Sequence, residues 1–301
     1  MEETILKVRG ISKSYRGKMV LKGIDMNVHK GDIYGFVGRN GAGKTTLIRI
    51  IAGLAAPSGG EFDLFGISSK GKGINKARRR ICAMVESPSI YPELSAKDNL
   101  RQQCQLVGKG YQEIGSTLEF VGLKDTGKKK AADFSLGMRQ RLAIGMALIG
   151  EPELMLLDEP MNGLDPEGIK ETRELLLRLS KEKRITILIS SHILGELSLL
   201  ATTYGFIDDG RMVREVTAEE IKKTMEEKIF LTVDDQQKAA DSLEILGYRH
   251  EIEGDRVITD SDIDIMKVCE RFKENGVRIN KIQSEGMELE DYFLSLIERR
   301  Q

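Results

Sequence analysis

The sequence predicts an α/β fold: a mostly parallel sheet covered by helices on both faces, interrupted by a helical insertion and followed by a small α+β unit. Three observations predict it. Strand-length apolar runs alternate with segments of helical period, which is the pattern of a parallel sheet. The runs Ile33 to Val37, Leu154 to Leu157 and Ile185 to Ile189 are apolar nearly throughout, as strands buried on both faces require. Past about residue 217 the pattern changes to shorter strands and helices that form a unit of their own.

In chain order, apolar and β-branched runs predict strands near 4–9, 20–28 and 31–37, and helical period predicts a helix over about 44–53. Strands return near 61–65 and 81–85, and the stretch from about 95 to 149 is mostly helical. A buried strand at 153–157, a helix at 167–182, a strand at 185–190, a helix at 193–201 and strands near 204–208 and 211–216 follow. Beyond them, Phe230 to Val233 precedes a helix at 235–246, short strands near 248–252 and 255–258, a helix at 262–275, a strand near 277–283 and a helix at 287–299. The expected division is a first domain over 1–216, with its helical insertion at about 88–150, and an accessory α+β domain over 217–301.

Length and composition agree with one large domain plus a small one: 301 residues, 40% hydrophobic and 31% charged. The net charge of -1 provides no global basic footprint, so no nucleic-acid partner is expected. The basic runs Lys76 to Arg80 and Lys128 to Lys130 read as solvated surface, with a nucleic-acid or lipid contact as the alternative. Cys82, Cys104 and Cys269 are odd in number, far apart and match no metal spacing, so reduced thiols in a cytosolic protein are expected. The start, MEETILKVRG, lacks the basic flank and apolar core of a signal peptide, and no stretch approaches the roughly 20 apolar residues of a membrane span. Such a chain can still dock on a protein that does cross a membrane.

The segment Gly38-Arg39-Asn40-Gly41-Ala42-Gly43-Lys44-Thr45-Thr46 fits G-x-x-x-x-G-K-[ST]. It sits between the apolar run ending at Val37 and the helical run that contains Leu47, Ile48, Ile50 and Ile51. Glycines let backbone N–H groups turn inward as an anion nest, and the helix N-terminus adds partial positive charge. Lys44 is then placed to reach β and γ phosphates, and the Thr45 hydroxyl to ligate Mg²⁺. The alternative is an ordinary glycine-rich turn. Farther on, the strand Glu153 to Leu157 delivers Asp158 to the sheet edge, followed by Glu159 and Pro160. Asp158 can hold Mg²⁺ through water, while Glu159, pointing differently, can face an attacking water as general base. The plainer alternative is a strand followed by a polar turn.

With these residues the chain resembles the ATP-binding subunit of an ABC transporter, over residues 4 to about 216. Further motifs fall in that family's order. Phe134-Ser135-Leu136-Gly137-Met138-Arg139-Gln140 resembles the signature motif, Asn162-Gly163-Leu164-Asp165 the D-loop, and Ser190-Ser191-His192 the switch histidine. Tyr15 stands where the family places an aromatic under adenine. The resemblance implies a P-loop NTPase core with an antiparallel β subdomain. It implies ATP and Mg²⁺ as ligands, Ser135 and Gly137 as donors to a γ-phosphate bound by another subunit, and His192 as its sensor. Ser135 can also be read as a helix cap alone, His192 as a structural histidine and Tyr15 as surface packing.

Two departures stand out. Leu136 replaces the signature's first glycine and Met138 its glutamine, and Glu86 stands where the family usually has a metal-ligating glutamine. A carboxylate there binds Mg²⁺ more strongly but repels phosphate. Both departures, and a C-terminal domain ending like Leu289-Glu290-Asp291-Tyr292-Phe293, resemble the branch of bacitracin-resistance and lantibiotic-immunity exporters.

The resemblance implies two ATP-binding domains arranged head to tail. With one phosphate loop in the sequence, a second copy of the chain is the simplest partner. It also implies an integral-membrane permease, with Ser89 to Leu94 lining the groove for it, and a cytoplasmic location on the inner face of the cell membrane. Cover for the insertion's own core is the other reading of that stretch. A GTPase would need Asn-Lys-x-Asp, and the near match Asn280-Lys281-Ile282-Gln283 lacks the aspartate. An ATP-sensing clamp of low turnover is the alternative to a transport motor.

Overall fold

The computed structural model describes residues 3–85, 89–224, 228–286 and 289–298. Two compact units divide the chain, Met1–Ala218 and Glu219–Gln301.

The first unit opens with a long hairpin, β1 (Thr4–Tyr15) and β2 (Lys18–His29), and continues into β3 (Ile33–Val37) and α1 (Lys44–Ala52). Strands β4 (Gly59–Leu64) and β5 (Ile67–Ser68), helix α2 (Ile74–Arg78) and strand β6 (Ile81–Met84) follow. The helical insertion carries α3 (Ala96–Val107), α4 (Ile114–Phe120) and α5 (Leu136–Ile149). The chain then runs through β7 (Leu154–Asp158), α6 (Pro166–Lys183), β8 (Thr186–Ser191), α7 (Leu194–Ser198), β9 (Thr203–Asp208) and β10 (Arg211–Thr217), and α8 (Ala218–Thr224) spans the unit boundary.

Two sheets result. A six-stranded sheet runs β10-β9-β3-β8-β7-β6, parallel from β9 to β6 with β10 antiparallel at its edge. An antiparallel sheet runs β2-β1-β4-β5. Every residue of β3, β7 and β8 is buried, which explains their nearly unbroken apolar runs. Leu47, Ile48, Ile50 and Ile51 of α1 pack into the core shared with Phe36, Leu154, Leu156 and Leu188. Burying each such side chain contributes about 1.5–3 kcal/mol, so α1 is fixed against the sheet before any ligand arrives.

Several elements differ from expectation. Strand β1 continues to Tyr15 because the apparent break at Gly10 is a register shift between Val8 and Ile11, not a strand end. Helix α7 is only five residues, and α2 and α8 are helices that the sequence reading did not anticipate. The basic run 76–80 is not simply solvated surface. Ala77 is buried, and the Arg78 guanidinium donates to the carbonyls of Ile51 (3.2 Å) and Ile50 (3.4 Å), satisfying the C-terminal end of α1. Arg80 makes a two-pronged pair with Glu153 at 2.6 and 2.7 Å, which holds that carboxylate below its usual range. The three cysteines are free thiols.

The stretch 89–94 is pinned by Asn99 of α3, which is fully buried. Its Oδ1 accepts the Tyr91 N–H at 2.7 Å, and its Nδ2 donates to the carbonyls of Tyr91 and Ser95 at 3.0 Å. Tyr91 itself is left 44% exposed.

The second unit contains β11 (Lys228–Val233), α9 (Gln236–Ile245), β12 (His250–Glu253), β13 (Arg256–Asp260), α10 (Ile265–Glu274), β14 (Ile279–Glu285) and α11 (Leu289–Glu298). Its antiparallel sheet has the order β12-β13-β11-β14, a split βαββαβ arrangement. Leu231, Val257, Leu243, Val268 and Phe272 form its core.

Candidate functional site

Strand β3 ends at Val37 and α1 begins at Lys44, so residues 38–43 must turn between a buried strand and a buried helix. Two glycines make the path possible. A Cβ at Gly38 would stand 2.4 Å from the Ile207 carbonyl oxygen, and Gly43 has φ 111° with its Cβ position 2.5 Å from Leu21 Cδ2. The tip of the β9–β10 turn supports the same loop: the Gly210 N–H donates to Ala42 O at 3.2 Å, and Lys22 N–H donates to Gly210 O at 2.7 Å. Helix α1 has no side-chain cap, which leaves its N-terminus open to an anion. A cleft of about 220 Å³ opens there, lined by Val20, Asn40, Gly41, Gly43, Lys44, Thr45, Thr46 and Glu159.

Lys44 is buried, and its ammonium donates to Gly38 O at 2.6 Å and Arg39 O at 3.3 Å. It also pairs with Glu159 Oε1 at 3.2 Å. Asp158, the last residue of β7, lies beside Ser190 in the parallel register of β7 and β8. Thr45 Oγ1 donates to Asp158 Oδ2 at 2.7 Å, and Ser190 Oγ donates to Oδ1 at 2.6 Å. Glu159 then leaves the strand with φ 50°, a left-handed conformation that costs a residue with a side chain about 1–3 kcal/mol. That conformation turns the second carboxylate away from the first. Its Oε2 lies 2.7 Å from His192 Nδ1 and 3.4 Å from the His192 N–H. Beside an ionised carboxylate, Nδ1 is the donor in that contact.

The structure therefore brings Lys44, Thr45, Asp158, Glu159 and His192 to one place, against the loop from Gly38 to Thr46. Ser135 and Gly137 lie elsewhere. Ser135 caps α5 by accepting the Met138 N–H at 3.2 Å, and the Cβ position of Gly137 is 3.7 Å from Gly168 and 3.8 Å from Leu164 of the neighbouring segment. Asp165 caps α6 through the Gly168 N–H. Tyr15 ends β1 half-exposed, with the Lys13 ammonium 4.8 Å from its ring centre, and is not among the residues lining the cleft. Glu86 lies outside the described residues.

Sequence reasoning missed the support given by Ser190 and by the Ile207 to Gly210 turn. The signal for Ser190 was present: two adjacent serines end an otherwise apolar buried strand, and a buried hydroxyl demands a partner. The floor under the loop had no local signal.

Chemically, the cleft presents a cation for phosphate oxygens, two hard oxygen donors and a carboxylate oriented by an imidazole. Among the described residues no group of three or more His, Cys, Asp or Glu is gathered to hold a metal by itself. The Thr45 and Asp158 oxygens fit Mg²⁺, which takes few protein ligands and keeps water and phosphate in its shell.

The ABC transporter family matches residues 21–162. The chain is 41% identical to the bacitracin transport ATP-binding protein BcrA of Bacillus licheniformis, over 98% of this chain and 97% of that protein. It is 40% identical to the lantibiotic transport ATP-binding protein SrtF of Streptococcus pyogenes, over 70% of this chain and 90% of that one. A solved structure described as the ATP binding subunit of an ABC transporter superposes with a TM-score of 0.64 at 30% identity, covering 73% of this chain and 92% of that chain.

Proposed function

This chain belongs to the ATP-binding subunits of ABC transporters, and from that premise we propose that it hydrolyses ATP to drive a separate integral-membrane permease. The observation that carries this reading is the convergence on one cleft of Lys44, the Thr45–Asp158 pair and the Glu159–His192 pair.

On this reading, the loop amides of residues 38–46 and Lys44 hold the triphosphate, and Lys44 exchanges its present acceptors for β and γ phosphate oxygens. Thr45 and Asp158 hold Mg²⁺, with Glu86 as a further candidate ligand. When bound, the ion neutralises charge that develops on the phosphates. Glu159 accepts the proton of the attacking water, and His192 keeps its carboxylate aimed. Tyr15 packs against the adenine. The Ser135 hydroxyl and the Gly137 N–H serve the γ-phosphate held by a second copy of the chain, closing the site against solvent. ATP favours the closed dimer and hydrolysis releases it.

The names of the relatives support export of, or resistance to, a peptide antibiotic or similar amphipathic compound. Among the described residues no helix is long and apolar enough to cross a membrane, so passage is assigned to the permease. The chain would sit on the cytoplasmic face of the membrane through that partner, with residues 217–301 as an accessory domain.

Steady-state phosphate release, measured on the purified chain with Mg²⁺ alone and with its permease, tests the reading. Turnover that needs Lys44 is the expected result. A wild-type chain without ATP affinity, or a Lys44→Ala variant that binds and hydrolyses like wild type, overturns it.

A further inference from the structure

Ser190 is fully buried at the next-to-last position of β8, where a hydroxyl is costly unless its hydrogen bonds are made. Both of its capacities are used. It donates to Asp158 Oδ1 at 2.6 Å and accepts the Glu159 N–H at 3.1 Å. A hydroxyl has one proton, so the bond to Asp158 sets its direction and leaves a lone pair for the Glu159 amide. One side chain thus holds the carboxylate of one residue and the backbone of the next. The Ser190 carbonyl adds a second acceptor for the same amide, also at 3.1 Å. These bonds oppose the cost of the left-handed turn at Glu159.

We propose that Ser190 is a positioning residue for hydrolysis, coupling the two adjacent acids so that Asp158 faces Thr45 while Glu159 faces Lys44 and His192. This rests on the ATPase reading above. Without the hydroxyl, Asp158 Oδ1 loses its donor and can rotate, and the Glu159 amide keeps only the backbone acceptor. Nucleotide binding through the loop and Lys44 does not depend on the Ser190 hydroxyl. Its loss should therefore appear in turnover and in the Mg²⁺ requirement, not in metal-free nucleotide affinity.

The test compares the full chain with its Ser190→Ala and Ser190→Thr variants. Readouts are kcat and KM for ATP, the Mg²⁺ concentration giving half-maximal rate, binding of a fluorescent ATP analogue in EDTA and in Mg²⁺, and the unfolding midpoint. For Ser190→Ala, kcat falls about 10–100-fold with KM changed less than about 3-fold, and the Mg²⁺ requirement rises about 3–10-fold. Analogue affinity in EDTA stays within about 2-fold of wild type, and Ser190→Thr, which restores a hydroxyl, recovers kcat to within about 3-fold. The proposal is overturned if Ser190→Ala matches wild type in kcat and Mg²⁺ requirement. It is also overturned if kcat and EDTA affinity fall together, or if a folded Ser190→Thr is no better than Ser190→Ala. Should the wild type bind nucleotide but not hydrolyse it, the ATPase reading fails. In that case the Mg²⁺ dependence of analogue binding in Ser190→Ala still decides whether Ser190 holds Asp158.

Discussion

Lys44 and Glu159 form an ion pair at 3.2 Å, buried on the lysine side and partly exposed on the other, so the cation proposed to hold phosphate is partnered by the site's own carboxylate. Incoming phosphate must compete with that carboxylate, and the two negative groups repel each other. Glu159→Gln removes the competing charge while keeping the side chain's shape. ATP affinity should rise about 3–10-fold, because a charge pair of this kind in a partly exposed cleft is worth on the order of 1 kcal/mol. Turnover should fall at least about 100-fold as the base is lost. A nucleotide titration paired with phosphate release checks both, and an ATP-stabilised dimer is expected by size-exclusion chromatography. Wild-type turnover would remove Glu159 from the role of base.

Gly38→Ala tests the floor under the phosphate loop. The new Cβ would sit 2.4 Å from a backbone oxygen, that of Ile207, which cannot swing aside like a side chain. A loss of about 1–3 kcal/mol in chemical unfolding is expected, together with weakened nucleotide binding. Unchanged binding would mean that the loop tolerates displacement from β9.

Asn99→Ala should loosen the segment that ends at Ser95. The substitution strips the Tyr91 amide of its acceptor and removes one donor each from the Tyr91 and Ser95 carbonyls, which keep the Leu94 and Asn99 N–H groups. A stability loss of about 1–3 kcal/mol follows from the amide left unpaired. Limited proteolysis should find new cleavage near Tyr91 while ATP affinity in the separate cleft is retained.

Alkaline pH should destabilise the first unit. Burial lifts the Cys82 thiol from 9.0 to about 11 and the Tyr204 hydroxyl from 10.0 to about 12. Tyr34, fully buried and facing Glu215, is raised as well. In each case the unfolded chain loses its proton first. The stabilising contribution is therefore complete below the unfolded values and is lost as pH climbs through the folded ones, from about 9 upward. Unfolding midpoints measured across that window should decline, less steeply in Cys82→Ala. For the same reason the Cys82 thiol should resist alkylation at neutral pH.

Much of the site was legible because its signals are local. A glycine-rich turn between an apolar strand and an apolar helix, and two consecutive acids at the end of a buried strand, each stand out within a few residues, and the structure gathers both at one place. Tyr15 carried no comparable local signal, and the structure leaves it half-exposed, apart from the residues lining the cleft. The basic run 76–80 read as surface because charge alone does not disclose that Arg78 reaches the end of α1.

From its own order the sequence determined the alternation of buried strands and helices, the glycine-rich loop between β3 and α1 and the polar residues at the strand ends. The tertiary structure alone decided which of them touch. Thr45 meets Asp158 across 113 positions, and Ser190 meets the same carboxylate across 32. The first depends on α1 packing over the sheet, and the second on the parallel register that sets Asp158 beside Ser190. A slip of one residue would turn each side chain to the opposite face, and nothing within a single strand records which neighbour it will have.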